Sequence, residues 1–137
     1  MGDSELTHYE VRASRVSPKR THVETADAEF TVGKDVNPVE YFLGSVLACL
    51  NSTATMVARD MDIDIESLEA TVEGDVNYAT YQGQEVEDRA GLQGVAVTLS
   101  VETEGDADLD AWLDSVKERC PVTDNVENET GLHVTLG

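Results

Sequence analysis

The chain is poor in positive charge. Against 28 acidic residues it carries only 9 lysines and arginines, for a formal net charge of −19. A surface of that sign repels phosphate, so nucleic acid is not an expected partner, and an anionic membrane surface is disfavoured for the same reason. No run approaches the roughly 18 apolar residues of a spanning helix. The polar stretch from Met1 to Glu10 lacks the apolar segment of a secretory signal. A cytoplasmic location without a membrane partner is the expectation. Cysteine is also scarce: Cys49 and Cys120 are the only two, and His8, His22 and His133 are scattered along the chain. These residues show no metal-ligand spacing, so neither a metal nor a cofactor is expected. In a reducing compartment a structural disulfide is rare, and two cysteines more often serve redox or metal chemistry.

What the chain has in abundance is acid. The acidic residues are interleaved with apolar ones from end to end instead of forming a tail. That pattern reads as a solvated surface suited to high salt, where counterions screen the self-repulsion. The length of 137 residues fits a single domain, 1–137. A domain of this size buries only about two-thirds of its surface, so a wholly apolar element would be hard to cover within one chain.

Residues 8–16 and 20–32 read as two strands separated at Ser17-Pro18, a hairpin within 8–34. The hairpin holds Arg12, Arg15, Lys19 and Arg20, four of the nine basic residues. It is either an ordinary exposed turn or a local positive source able to favour a thiolate. Asn37-Pro38 opens a helix, with Asn37 as N-cap, Pro38 at the first helical position and Glu40 placed as in a capping box. This helix, 37–60, is apolar on nearly every side and holds Cys49 near its middle. A helix of that kind is a buried one. A single sheet covers one side of it, so a second copy of the same helix is the simplest cover and a homodimer is expected.

Two alternating strands follow within 66–103, Leu68 to Tyr78 and Leu92 to Val101, joined by a polar loop. In 106–137, Leu109, Trp112, Leu113 and Val116 recur at helical spacing; Cys120-Pro121 breaks that helix and starts a short one; Leu132, Val134 and Leu136 read as a final strand. Strands and helices do not alternate strictly, so the expected class is α+β with antiparallel sheets and a long buried central helix.

Cys49 taken alone reads as a small buried hydrophobe. Cys120 lies at a helix break beside Arg119, and helix N-termini and nearby cations lower a thiol pKa. The segment Asn37-Pro38-Val39-Glu40-Tyr41-Phe42-Leu43-Gly44-Ser45-Val46-Leu47-Ala48-Cys49 resembles the first cysteine motif of the OsmC/Ohr family, and Cys120-Pro121-Val122-Thr123 resembles its second. The alternating strands between them, with Glu73-Gly74-Asp75, fit the same pattern, and the resemblance covers about residues 8–137. It implies an OsmC-like fold in an intertwined homodimer with active sites at the subunit interface. It also implies a thiol peroxidase acting on organic hydroperoxides. In that scheme Cys49 attacks the peroxide and becomes a sulfenic acid, Cys120 resolves it to a disulfide, and an external dithiol such as a dihydrolipoyl group reduces the pair.

The family further supplies a hairpin arginine, here Arg15 or Arg20, held by an acid at the start of the long helix. One position departs from the pattern. Val39 stands where that acid directly follows the proline, and Glu40 comes one residue later, about 100° around the helix. Glu40 therefore reads either as the arginine anchor or as a capping residue. Two other functions stay open: a non-peroxidatic dimer of the same fold that senses redox state or holds a small hydrophobic ligand, and a structural domain with two inert cysteines.

Overall fold

The computed structural model describes residues 5–137. The chain forms two compact units, one reaching to Phe42 and one running from Leu43 to Gly137. The elements in order are strands β1 (Arg12–Ser17), β2 (Arg20–Glu24) and β3 (Glu29–Val32), helix α1 (Pro38–Asp60), strands β4 (Ile65–Val76) and β5 (Leu92–Thr103), and helices α2 (Leu109–Arg119) and α3 (Pro121–Glu127). This is a mixed α+β architecture in which every strand pairing is antiparallel.

The first unit is a three-stranded meander, β1-β2-β3. The long second strand expected over 20–32 is instead two strands. Its interruption is local chemistry: the Thr25 hydroxyl accepts hydrogen bonds from the Asp27 and Ala28 amides, at 3.3 and 3.0 Å, and closes a turn. The register pairs Val23 with Phe30 and Thr21 with Val32 on one face, and His22 with Thr31 and Glu24 with Glu29 on the other. Phe30 stacks on Tyr41 of α1 with ring centroids 6.1 Å apart, and the Tyr41 hydroxyl donates to the Thr31 carbonyl at 3.4 Å. Gly33, at φ +92°, ends β3 where a Cβ would collide with the Lys19 carbonyl.

The helix α1 begins as its sequence dictates. The Asn37 side chain accepts from the Glu40 amide at 2.9 Å and the Glu40 carboxylate accepts from the Asn37 amide at 3.0 Å, a reciprocal capping box. It ends where Asp62, at φ 55°, reverses the chain and the Ile63 amide returns to the Ala58 carbonyl at 2.8 Å. By length and mean hydropathy α1 would pass for a membrane-spanning segment, against the reading that no run is long enough, though only by that criterion.

Within the second unit α1 serves as a core helix. It buries the stripe Val46, Leu50, Thr53, Ala54, Val57 and Ala58. Trp112 and Val116 of α2 complete this core, and the Trp112 indole donates to the Ala54 carbonyl at 3.1 Å. Leu68, Val97, Leu99 and Val101 from β4 and β5 pack against it. One chain covers one stripe of the helix only, as expected, and Tyr41, Phe42 and Met56 remain 38%, 42% and 45% exposed. The expected final strand is also absent. Residues 128–137 carry no strand, and Leu132, Val134 and Leu136 are exposed, with no neighbouring strand to satisfy their backbone.

Candidate thiol site

Both cysteines lie in the second unit, and the fold brings them close enough that each thiol shifts the titration of the other. Cys49 sits in the middle of α1, partly exposed, against the core. Cys120 is 1% exposed and stands between α2 and α3 in an extended conformation, φ −82° and ψ 113°. The break is enforced by Pro121, which lacks the amide needed to continue α2 and suits the first position of α3. Both thiols are free.

Three further groups complete the site: Thr53, to which the sequence gives no role, and Val122 and Thr123 of the second motif. Thr53 lies one turn after Cys49 on the same side of α1, and its side chain favours the charged form of both thiols. The i, i+4 spacing from Cys49 was the available signal. Thr123 follows Cys120 by three residues, and its hydroxyl donates to the Cys120 carbonyl at 3.2 Å. The Val122 backbone contributes a further hydrogen bond to the Cys49 sulfur.

These neighbours act differently on the two thiols. Burial pushes the Cys49 thiol up, and the hydrogen bond and charge of Cys120 push it further; the Val122 and Thr53 bonds oppose them without prevailing. Burial also works against a charge on Cys120, but there the Thr123 hydroxyl and amide, the Cys49 thiol and Thr53 outweigh it, so the net direction is down. Cys120 closes no formal side-chain cap on α3, yet the Thr123 amide still favours its charged form. Arg119, expected to act on Cys120 as an adjacent cation, instead pairs with Asp60 at 2.9 Å. The lowering at Cys120 comes from hydrogen-bond donors.

A cavity of about 390 Å³ opens in the same unit between α1, β5, α2 and α3. Val46, Leu50, Val97, Leu99 and Leu113 give it an apolar lining, with Lys117, Thr123 and Glu127 at its polar points. Thr123 thus borders both the cavity and Cys120.

The remaining candidates belong to the first unit. Arg15 pairs with Thr21 and Arg20 with Ser17 in the β1–β2 ladder, with a register shift between, so the two arginines project from opposite faces of the meander. Among the described residues neither forms an ion pair. Glu40 is engaged in the capping box with Asn37, the capping alternative for that residue.

The OsmC-like protein family model matches residues 31–135. The chain belongs to the OsmC-like family. Both cysteines of the thiol site fall inside the matched region. The fold is shared with solved OsmC-like structures. An OsmC-like protein from Mycoplasma pneumoniae superposes with a TM-score of 0.77 at 18% identity, over 90% of this chain and 89% of that one. An OsmC-like protein of unknown function from Vibrio cholerae gives a TM-score of 0.72 at 12% identity, over 90% and 96%. A Legionella pneumophila OsmC named as an organic hydroperoxide resistance protein gives 0.68 at 21% identity, over 91% and 93%. No curated protein matches at comparable significance. At these identities the likeness establishes the OsmC-like fold, not a shared substrate.

Proposed function

We propose that this OsmC-like protein is a cysteine-based peroxidase that reduces organic hydroperoxides to alcohols. The observation that carries the reading is the contact between a partly exposed Cys49 and a buried Cys120. A peroxide can reach the first sulfur and not the second. The two thiols titrate as a pair. Within the monoanion, transfer of one proton across their hydrogen bond moves the thiolate from Cys120 to Cys49. The Cys49 thiolate then attacks the terminal oxygen of ROOH; the O–O bond breaks, Cys49 becomes a sulfenic acid, and the departing alkoxide takes a proton from water to leave as ROH. Cys120 attacks the sulfenic sulfur, water leaves, and a Cys49–Cys120 disulfide remains. An external dithiol, of the dihydrolipoyl kind, restores both thiols and is itself oxidised to a disulfide. The largely apolar 390 Å³ cavity that Thr123 shares with the thiol pair favours an organic peroxide over an inorganic one, because an alkyl group would gain from burial there.

In this reading Arg15 or Arg20 supplies the positive charge that favours the Cys49 thiolate, and Glu40 helps to hold it. The protein works as a homodimer in a salt-rich cytoplasm. The exposed Tyr41, Phe42 and Met56 on α1 and the exposed Leu132, Val134 and Leu136 are the surfaces a second copy would cover. Light scattering at the salt where the protein is folded tests this; a monomer refutes it.

The decisive experiment mixes the purified protein with cumene hydroperoxide and a dithiol. Consumption that disappears in Cys49→Ser, with a disulfide visible by mass spectrometry in the parent and a trapped Cys49 sulfenic acid in Cys120→Ser, is the expected result. No Cys49-dependent consumption refutes the peroxidase. One observation favours a second reading: Glu40 is occupied as a cap, which leaves the arginine without its anchor. A non-peroxidatic dimer would then use the apolar cavity for a small hydrophobic ligand, and the thiol pair for sensing redox state. Such a protein would bind the ligand without consuming peroxide.

A further inference from the structure

We propose that the N-terminal meander carries a divalent-cation site built from His22, Glu24 and Glu29, distinct from the thiol pair. His22 and Glu24 are two residues apart on β2 and so project from the same face; the register places Glu29 of β3 directly opposite Glu24. One nitrogen or oxygen of each of the three side chains lies within 4.8 Å of the others. The His22 Nε2 is 3.4 Å from Glu24 Oε1 and 3.6 Å from Glu29 Oε2.

Two features of this cluster point to a cation. Like charges directly opposite one another across an antiparallel pair repel, and among the described residues the Glu24–Glu29 pair faces a single shared partner, the His22 imidazole. Arg12 lies opposite Glu24 on β1 but is turned to Glu10, at 3.1 Å. The spacings are also those of ligands rather than of hydrogen-bond partners. A charge-assisted hydrogen bond closes to about 2.7–2.9 Å, and a single Nε2–H can point at only one carboxylate. Two donors bound to one zinc ion at about 2.0–2.1 Å with tetrahedral angles are separated by roughly 3.3–3.4 Å.

One imidazole and two carboxylates form a borderline-to-hard N/O set of the kind that takes Zn²⁺ with water in the fourth position. The Glu24 and Glu29 side chains are 54% and 70% exposed and His22 is 31% exposed, which gives an ion access. The sequence conceals the site because Glu29 is delivered by the Thr25–Ala28 turn, not by spacing.

The test uses the full chain with Cys49→Ser and Cys120→Ser, which removes the thiols as zinc ligands, in 1 M KCl to screen general attraction to the acidic surface. The expected result is one equivalent of Zn²⁺ bound in isothermal titration and a raised thermal midpoint. His22→Ala and Glu29→Gln each weaken binding by roughly 10- to 100-fold or more. The control Glu85→Gln/Glu87→Gln, which removes two charges from a remote loop, leaves it intact. Zinc-induced NMR shifts confined to the His22 imidazole in the parent keep the proposal testable if a variant fails to fold. Binding that survives His22→Ala, a loss of equal size in the control, or no saturable binding overturns it.

Discussion

The Cys49 thiol is pushed up by burial and then by the hydrogen bond and charge of its neighbour Cys120, while Thr53 holds it down. The thiolate is the species that alkylates, so the rate rises as pH passes through the pKa. Removing the Cys120 sulfur takes away two of the upward pushes. In Cys120→Ser the pH midpoint for alkylation of Cys49 is expected to fall below that of the parent. In Thr53→Val it is expected to rise. Iodoacetamide labelling followed by mass spectrometry across pH checks both, and a midpoint that does not move in Cys120→Ser contradicts the contact. At this scale the two sulfurs were legible through their motifs, but the groups that tune them were not singled out. Thr53 and Thr123 are ordinary threonines until a helix and a break turn them towards the sulfurs.

At the scale of elements, the docking of α2 on α1 depends on Trp112. The ring is 2% exposed, and its indole nitrogen is satisfied by the Ala54 carbonyl at 3.1 Å. Truncating a buried aromatic leaves a cavity that the surroundings fill only in part, so Trp112→Ala is expected to cost about 3–5 kcal/mol in urea unfolding. Arg119 ties the same two helices together through Asp60, but both side chains are about half exposed. Arg119→Ala is expected to cost less than about 1 kcal/mol. A reversed order would mean that charge, not packing, holds α2 in place.

Element boundaries followed local chemistry closely where that chemistry was strong: the Asn37–Glu40 box starts α1 and Pro121 starts α3. They were misread at Thr25, whose hydroxyl makes a turn inside an apparent strand. At Leu132–Leu136 an alternating pattern has no partner strand among the described residues. Alternation records which face could be buried, not whether another strand is there to bury it.

For the whole molecule the governing quantity is the net charge of −19. Self-repulsion at that density opposes the compact state, and salt shortens its range from about 10 Å at 0.1 M to about 3 Å at 1 M. The thermal midpoint is therefore expected to climb as KCl is raised from 0.1 to 2 M, as read by circular dichroism. A flat profile would remove the case for a salt-adapted surface.

By itself the sequence determined the class of the protein and the two sulfurs of its candidate site. Periodicity marks α1, β4, β5 and α2, the two cysteine motifs mark Cys49 and Cys120, and the imbalance of charge marks the surface. These are local or additive properties, readable without knowing what lies opposite a residue. Tertiary structure alone decided the pairings. It brought the two sulfurs from distant elements into contact, set Thr53 against both, and placed Glu29 across from Glu24 beside His22. Each of those depends on how one element is registered or docked against another, and such long-range placement follows from packing rather than from spacing along the chain.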